Sequence, residues 1–342
     1  GKNLKNCAEC ELGRKCKMSG NKKYSGFRST EFYLLLFLIV VLFFLRIFAL
    51  GFFDINNIMS ILNRFSYILI SAIGMNMIII TSNIDISAGA LISVLCIIVA
   101  LVGKAGANTM VLFLVAIVCG ILISSLNGLI ITKLKIPAMV ATLAATQILQ
   151  GILPLSVNGS IYDLPVGFTW LAVKAKIFGV IPGSVLIALI VAAIAILFMK
   201  YSRYSKKLYA LGNNMTGARL AGVNVNRVVM ISYMIAGGLY GVSAVIIATA
   251  SQRVTPTMAN GMEMLFIASV VLGGTSTTGG RGKIQGTVVG AIILAMISSA
   301  INYLGISSDW SDAVMGFIIL ASVVTTTYKR KKKRIIEGVV YR

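Results

Sequence analysis

The chain has 342 residues, of which 58% are hydrophobic and 12% charged, with 31 Lys and Arg against 10 Asp and Glu, a formal net charge of +21 and a mean hydropathy of +0.92. A soluble domain carries about 25% charged residues and needs polar surface to cover its core. This composition therefore excludes a soluble globular enzyme, and its apolar content excludes a disordered chain. It points to an all-α, polytopic helical membrane protein, because the apolar runs are long and continuous rather than alternating in short segments. The chain contains no histidine, so no Ser/His/Asp or Cys/His arrangement can be assembled from it.

Residues 1–31 form a polar tail with eight of the basic residues and three of the five cysteines. The tail is too polar for a signal peptide, and no small-residue cleavage site follows it. It reads as a cytoplasmic tail ahead of a first span over 32–50. Cys7, Cys10 and Cys16 are spaced C-x2-C-x5-C. A zinc site needs four ligands, and no fourth cysteine is near, so the expectation is a reduced tail without metal, with metal or redox sensing as the alternative.

Further apolar runs predict spans near 64–82, 86–103, 110–132, 138–156, 178–199, 228–250, 262–274, 284–303 and 310–327, about ten in all, within a transmembrane domain over 32–328. A basic tail over 329–342 follows. Two runs are broken. Asn83-Ile-Asp-Ile-Ser-Ala-Gly89 interrupts the apolar stretch from Ile68 to Val102, and 262–274 is too short to cross and ends in a Gly/Thr/Ser string. Breaks at membrane depth are tolerated only where the backbone is buried in protein or lines a wet cavity.

The charges fix an orientation. With both termini inside, 25 of the 31 basic residues fall on the inner side, which is the positive-inside pattern. The basic pI of about 10.0 is thereby accounted for without nucleic acid as a partner. The longest inner connection is 200–227. Within it, 216–221 predicts a short helix stopped by Gly222, either a docking element for a soluble partner or a solvated basic loop.

Asp85 lies in an apolar context, where a charge is costly. Either Asp85 or Ser87 caps the helix that follows, or Asp85 is a proton or cation site. The string from Leu272 to Gly290 is glycine-rich, but Gly282-Lys283 is followed by Ile284, so the hydroxyl of a phosphate loop is missing. Gly282, Gly286 and Gly290 recur every fourth residue, which suits close helix packing. Glu263, Asp309 and Asp312 sit at helix starts, where acids complement the dipole. Asn76, Gln147, Gln150 and Asn302 are amides within spans that either glue helices together or line a polar path, with Asn83 and Glu263 as further candidates for that path.

Several strings together resemble one family. Asn83-Ile-Asp-Ile-Ser-Ala-Gly89, Ala141-Thr-Leu-Ala, Asn158-Gly159, Ala218-Arg-Leu-Ala-Gly-Val-Asn-Val-Asn-Arg227, Val271-Leu-Gly-Gly-Thr-Ser-Thr-Thr-Gly-Gly-Arg-Gly282 and Leu304-Gly-Ile-Ser-Ser-Asp-Trp310 follow in order over residues 32–328. They are similar to the permease subunit of bacterial ABC importers for sugars, the ribose-type carbohydrate branch. Position 83 is Asn where that family usually has Gly, and position 88 is Ala where Val is common.

The resemblance implies a permease of the bacterial cytoplasmic membrane that moves a monosaccharide such as ribose, and no enzyme. It implies a dimer with a second copy or a homologous permease, an extracytoplasmic sugar-binding protein, and an ATPase that binds ATP and Mg and docks on Ala218, Arg219, Leu220, Gly222, Val223 and Asn224. Asp85, Ser87, Gly89, Gly273, Gly274, Gly279 and Gly280 are then structural residues at the helix breaks. An ion-coupled secondary transporter using Asp85 is the alternative.

Overall fold

The computed structural model describes residues 52–157, 159–162, 181–251 and 253–305, with isolated positions between 164 and 177 and between 310 and 320. The expected tails, the span at 32–50, most of the span at 310–327, the three tail cysteines, Asp309 and Asp312 lie outside the described residues.

In chain order the helices are α1 (Ile55–Ile80), α2 (Ala88–Lys104), α3 (Thr109–Lys133), α4 (Ala138–Ser156), α5 (Gly183–Tyr201), α6 (Arg203–Asn213), α7 (Met215–Leu220), α8 (Val225–Ala250), α9 (Met262–Leu272) and α10 (Ile284–Tyr303). Strands β1 (Lys176–Ile177) and β2 (Ile181–Pro182) form a two-residue antiparallel pair ahead of α5. Six of these helices are long and apolar enough to span a bilayer, and α2 and α9 are shorter apolar helices.

The starts follow local chemistry. Asp54, Asn108, Ser202, Asn214 and Asn224 each accept a backbone N–H of the first turn through a side-chain oxygen, which satisfies donors a helix cannot satisfy internally. Two boundaries differ from the hydropathy reading. Helix α1 begins at Ile55 rather than near 64, because the Asp54 cap starts it in the mixed stretch 55–63, where Asn56, Asn57, Ser60 and Asn63 interrupt the apolar run. Helix α5 begins at Gly183 rather than 178, because Pro182 ends the strand pair immediately before it.

The core runs through α1, α8 and α10. Of their most apolar windows, 56%, 67% and 72% are buried, against 22% for α3 and 28% each for α4 and α5. Helices α3 and α4 flank α2, with α3 also against α8, and α5 flanks α1 and α10; α3 and α5 present Leu114, Leu122, Leu189 and Leu197 outward, as lipid-facing helices do. Helices α3 and α8 run antiparallel with backbones nearly touching. A Cβ on Gly120 would fall on the Gly237 carbonyl, and one on Gly241 on that of Ala116. Small residues permit such approach where lipid gives no hydrophobic incentive to pack.

The short run at 262–272 is half of a crossing. Eleven helical residues span roughly 16 Å of a roughly 30 Å hydrocarbon core. The remainder is non-helical chain over 253–261. At one end Val254 bridges Ile161 through reciprocal backbone hydrogen bonds of 2.9 and 3.1 Å. At the other, the string after α9 packs on α6. The non-helical half is partly buried, with Val254 and Ala259 inside and Arg253, Thr257 and Asn260 exposed. It is tied to α2: Ala259 N–H donates to Ser93 Oγ at 3.0 Å, and Ser93 donates to Asn260 Oδ1 at 3.3 Å.

Candidate functional site

The stretch 200–227, read above as a loop with one short helix, is almost wholly helical. The short helix is present as α7, and Gly222 follows it at φ +78°. Its end is closed by Gly222 N–H donating to Arg219 O and Val223 N–H donating to Ala218 O, both at 3.0 Å. Ala218 is buried; Arg219, Leu220, Ala221, Gly222 and Asn224 are exposed, Leu220 at 86%. Asn224 also caps α8. An apolar side chain left bare beside an arginine on a capped turn is a surface that a soluble partner can cover.

Helix α6 was not foreseen. Its buried residues Ser205, Leu208 and Leu211 recur every third position, a signal that was legible in the sequence but diluted by the surrounding lysines. Tyr204 Oη donates to Val228 O at 2.7 Å and lies 3.0 Å from Ser232 Oγ, which pins α6 to the first turns of α8. Burial pushes this phenol up to about 12, so it remains a neutral donor at physiological pH.

Three segments meet at the far end of α6. Gly280 N–H donates to Ile80 O at 2.9 Å. Ser82 Oγ donates to Thr278 O at 3.0 Å, Tyr209 Oη to Gly282 O at 2.8 Å, and Asn213 Nδ2 to Gly280 O at 3.2 Å. Gly212 has no room for a side chain: a Cβ would fall on Ile80 O and Gly280 N. Gly279 and Gly280 adopt φ +79° and +70°, which glycine populates without strain. Helix α6 is thus bolted both to the turn after α1 and to the string between α9 and α10.

The interior polar residues separate into two groups. Asn76 is buried and donates to Thr275 Oγ1 at 2.8 Å and Thr287 Oγ1 at 2.7 Å, tying α1 to the string and to α10. Asn83 Nδ2 donates to Thr81 Oγ1 at 2.9 Å. Asp85 Oδ1 accepts from Ser87 N–H at 3.0 Å and Ser87 Oγ at 2.6 Å, and Asn127 Nδ2 donates to Ser87 Oγ at 2.8 Å. Ser87 itself makes no side-chain cap. Glu263, in the first turn of α9, is buried against Gly89. Gly273 sits against Gly286, and Gly290 against Ser269 O, so the four-residue spacing on α10 faces α9. By contrast Gln147 and Asn302 are exposed, and Gln150 is half-buried. These amides point out of the chain.

The end of the bundle carrying α6 is strongly basic. The ten lysines and arginines within 133–135, 200–227 and 281–283 lie there. The acids among the described residues are Asp54, at the opposite end of α1, and the buried Asp85 and Glu263. Among the described residues no group of three or more His, Cys, Asp or Glu could hold a metal ion.

Residues 57–323 match the family described as branched-chain amino acid transport system / permease component. The chain is 35% identical over 285 residues to the ribose import permease protein of Escherichia coli (strain K12), covering 82% of this chain and 88% of that protein. It is 31% identical over 287 residues to the ribose import permease protein of Haemophilus influenzae, with the same coverage. It is 29% identical over 272 residues to the autoinducer 2 import system permease protein of Salmonella paratyphi B, covering 79% and 78%. No solved structure gives a significant match. These similarities do not favour an ion-coupled secondary transporter. A helical bundle with broken spans, a capped helix displayed at its basic end and this family match converge: the chain belongs to the branched-chain amino acid transport system / permease component family, as a multi-pass permease of the cytoplasmic membrane that serves an ABC-type import system.

Proposed function

We propose that this permease carries a monosaccharide such as ribose, or a closely related sugar, into the cell by alternating access driven by a separate ATPase. The chain does no chemistry of its own; ATP and Mg are bound by the partner. The basic end faces the cytoplasm, because positive charge stays on the untranslocated side, and both termini lie there. An extracytoplasmic sugar-binding protein releases the substrate at the opposite end.

The observation that carries this reading is α7, an exposed turn with Leu220 and Arg219 at its tip, mounted on a helix bolted to both breaks in the bundle. A partner that moves α7 moves α6, and with it the turn after α1 and the string after α9. The outward amides support a path between two permeases. An amide facing lipid is unfavourable, so Gln147 and Gln150 on α4 belong against a second copy or a homologous permease, lining a wet path with it. The buried Asn76 and Glu263 and the half-buried Asn83 serve that path by holding its walls.

Replacing Leu220 with Glu tests the docking. Leu220 is bare, so the change leaves the fold intact. The ATPase is expected to fall away in co-purification, and uptake with it. Unchanged ATPase association and uptake would remove α7 from the docking surface.

A further inference from the structure

The corner between α5 and α6 joins a lipid-facing stripe to a run of cations. On α5, Leu186, Leu189, Ile190, Ile194 and Leu197 are exposed at helical spacing, the pattern of one continuous outward face. Lys200 and Tyr201, three and four residues past Leu197, are exposed on the same face. Helix α5 has 19 residues, a length of roughly 28 Å against a hydrocarbon core of roughly 30 Å. Its last turn therefore lies at headgroup depth. Tyr201 is 68% exposed there, with Lys200 Nζ 5.0 Å from the centroid of its ring. An aromatic ring at the end of an apolar stripe marks the membrane–water interface.

The corner is pinned, and it continues the charge. Ser202 N–H donates to Phe198 O at 2.9 Å, Tyr204 N–H donates to Ser202 Oγ at 3.0 Å, and Ser205 Oγ donates to Ser202 O at 2.8 Å. The rings of Phe198 and Tyr204 meet across it, with centroids 6.0 Å apart. Helix α6 then buries Ser205, Leu208 and Leu211 and exposes Arg203, Lys206 and Lys207. Four cations thus stand within eight residues at the foot of a lipid-facing helix. Among the described residues no exposed acid lies at this end of the bundle. Topology accounts for the sign of these charges, but not for their place at the end of a lipid-facing stripe, on a pinned corner. Bare cations at headgroup depth, below a surface that acyl chains cover, are complementary to anionic headgroups.

We propose that Lys200, Arg203, Lys206 and Lys207 hold the phosphate headgroup of an anionic phospholipid of the cytoplasmic leaflet, with its acyl chains along the 186–197 face of α5. The choice of leaflet rests on the orientation proposed above; the lipid contact itself does not. The bound lipid clamps the α5–α6 corner to the membrane surface. Helix α6 leads directly into α7 and is tied to the turn after α1 and to the string after α9, so the clamp sets the height at which α7 stands for the ATPase.

The test titrates the full chain, without ATPase or binding protein, with phosphatidylglycerol or phosphatidylcholine in detergent and counts bound lipids by native mass spectrometry. Because no sugar or ATP enters this measurement, its failure is distinct from failure of the transport reading. The first phosphatidylglycerol is expected to bind about fivefold more tightly than the first phosphatidylcholine, or better, and the preference is expected to shrink as salt rises. Replacing Lys200, Arg203, Lys206 and Lys207 together by Gln is expected to bring the preference below about twofold; all four are exposed, so the fold survives. Lys133→Gln with Lys135→Gln removes two cations from the turn that leads into α4 and is expected to leave the preference unchanged. Equal binding of the two lipids to the natural chain would overturn the site, as would an unchanged preference in the fourfold variant. An equal loss in the Lys133 and Lys135 variant would overturn it too, by showing a diffuse attraction. A fourfold variant that keeps its lipid preference but no longer co-purifies with the ATPase would assign this face to the ATPase instead.

Discussion

Replacing Gly212 with Ala perturbs the link between the docking helix and the membrane breaks and little else. The added methyl would fall on Ile80 O and Gly280 N, with Gly280 Cα at 2.9 Å. All three are backbone atoms, so no side-chain rotation relieves the clash, and α6 must lift. Lifting breaks the hydrogen bonds from Tyr209 to Gly282 O and from Asn213 to Gly280 O, each worth about 1 kcal/mol. Residual overpacking adds about 1–3 kcal/mol. The sum, about 3–5 kcal/mol, shifts the docked arrangement by on the order of a hundredfold or more. Helix α7 keeps its cap and its exposed tip, so the ATPase should still co-purify. Sugar uptake in proteoliposomes should collapse while ATP hydrolysis persists. Gly238→Ala is the control, since a Cβ there meets only side-chain atoms of Ile121 and Ile117 at 3.4–3.8 Å. Uptake in Gly212→Ala equal to that in Gly238→Ala would refute the claim that this contact transmits motion.

Three further outcomes follow from the same geometry. Asn76→Ala removes the donor to Thr275 and Thr287 and should cost about 1–2 kcal/mol, the range of interhelical hydrogen bonds in membranes, read as a lower unfolding temperature in detergent. Gly89→Ala places a methyl on the Glu263 carboxylate and 2.6 Å from Ala259 O; it should reduce the yield of folded protein, and full yield would mean that α2 and α9 are free to separate. Tyr204 is held about 2 pH units above the free phenol, so its stabilising contribution is whole below about pH 10 and is lost as pH rises toward 12. Spectrophotometric titration should show one tyrosine fewer ionising near pH 12 in Tyr204→Phe, and an unchanged high-pH step would argue against the buried hydrogen bond.

Much of the architecture was legible because lipid imposes a simple rule: long apolar runs become helices. Helices α3, α4, α8 and α10 lie close to their hydropathy windows for that reason. The start of α1 was missed because a cap, not a continuous apolar run, begins it. Helix α6 was missed because its two buried leucines are outnumbered by Arg203, Lys206 and Lys207. The α7 turn was readable from Gly222, since a positive φ is what a glycine stop supplies. The pairing of Asp85 with Ser87 is local, two residues apart, whereas that of Asn76 with Thr275 and Thr287 depends on which helices touch.

The most direct test of the account is uptake of labelled ribose into proteoliposomes holding the permease, its ATPase and its sugar-binding protein. Uptake is predicted to require ATP inside and the binding protein outside, and to continue when ion gradients are dissipated. Uptake that proceeds without the ATPase and stops when the ion gradient collapses would contradict it.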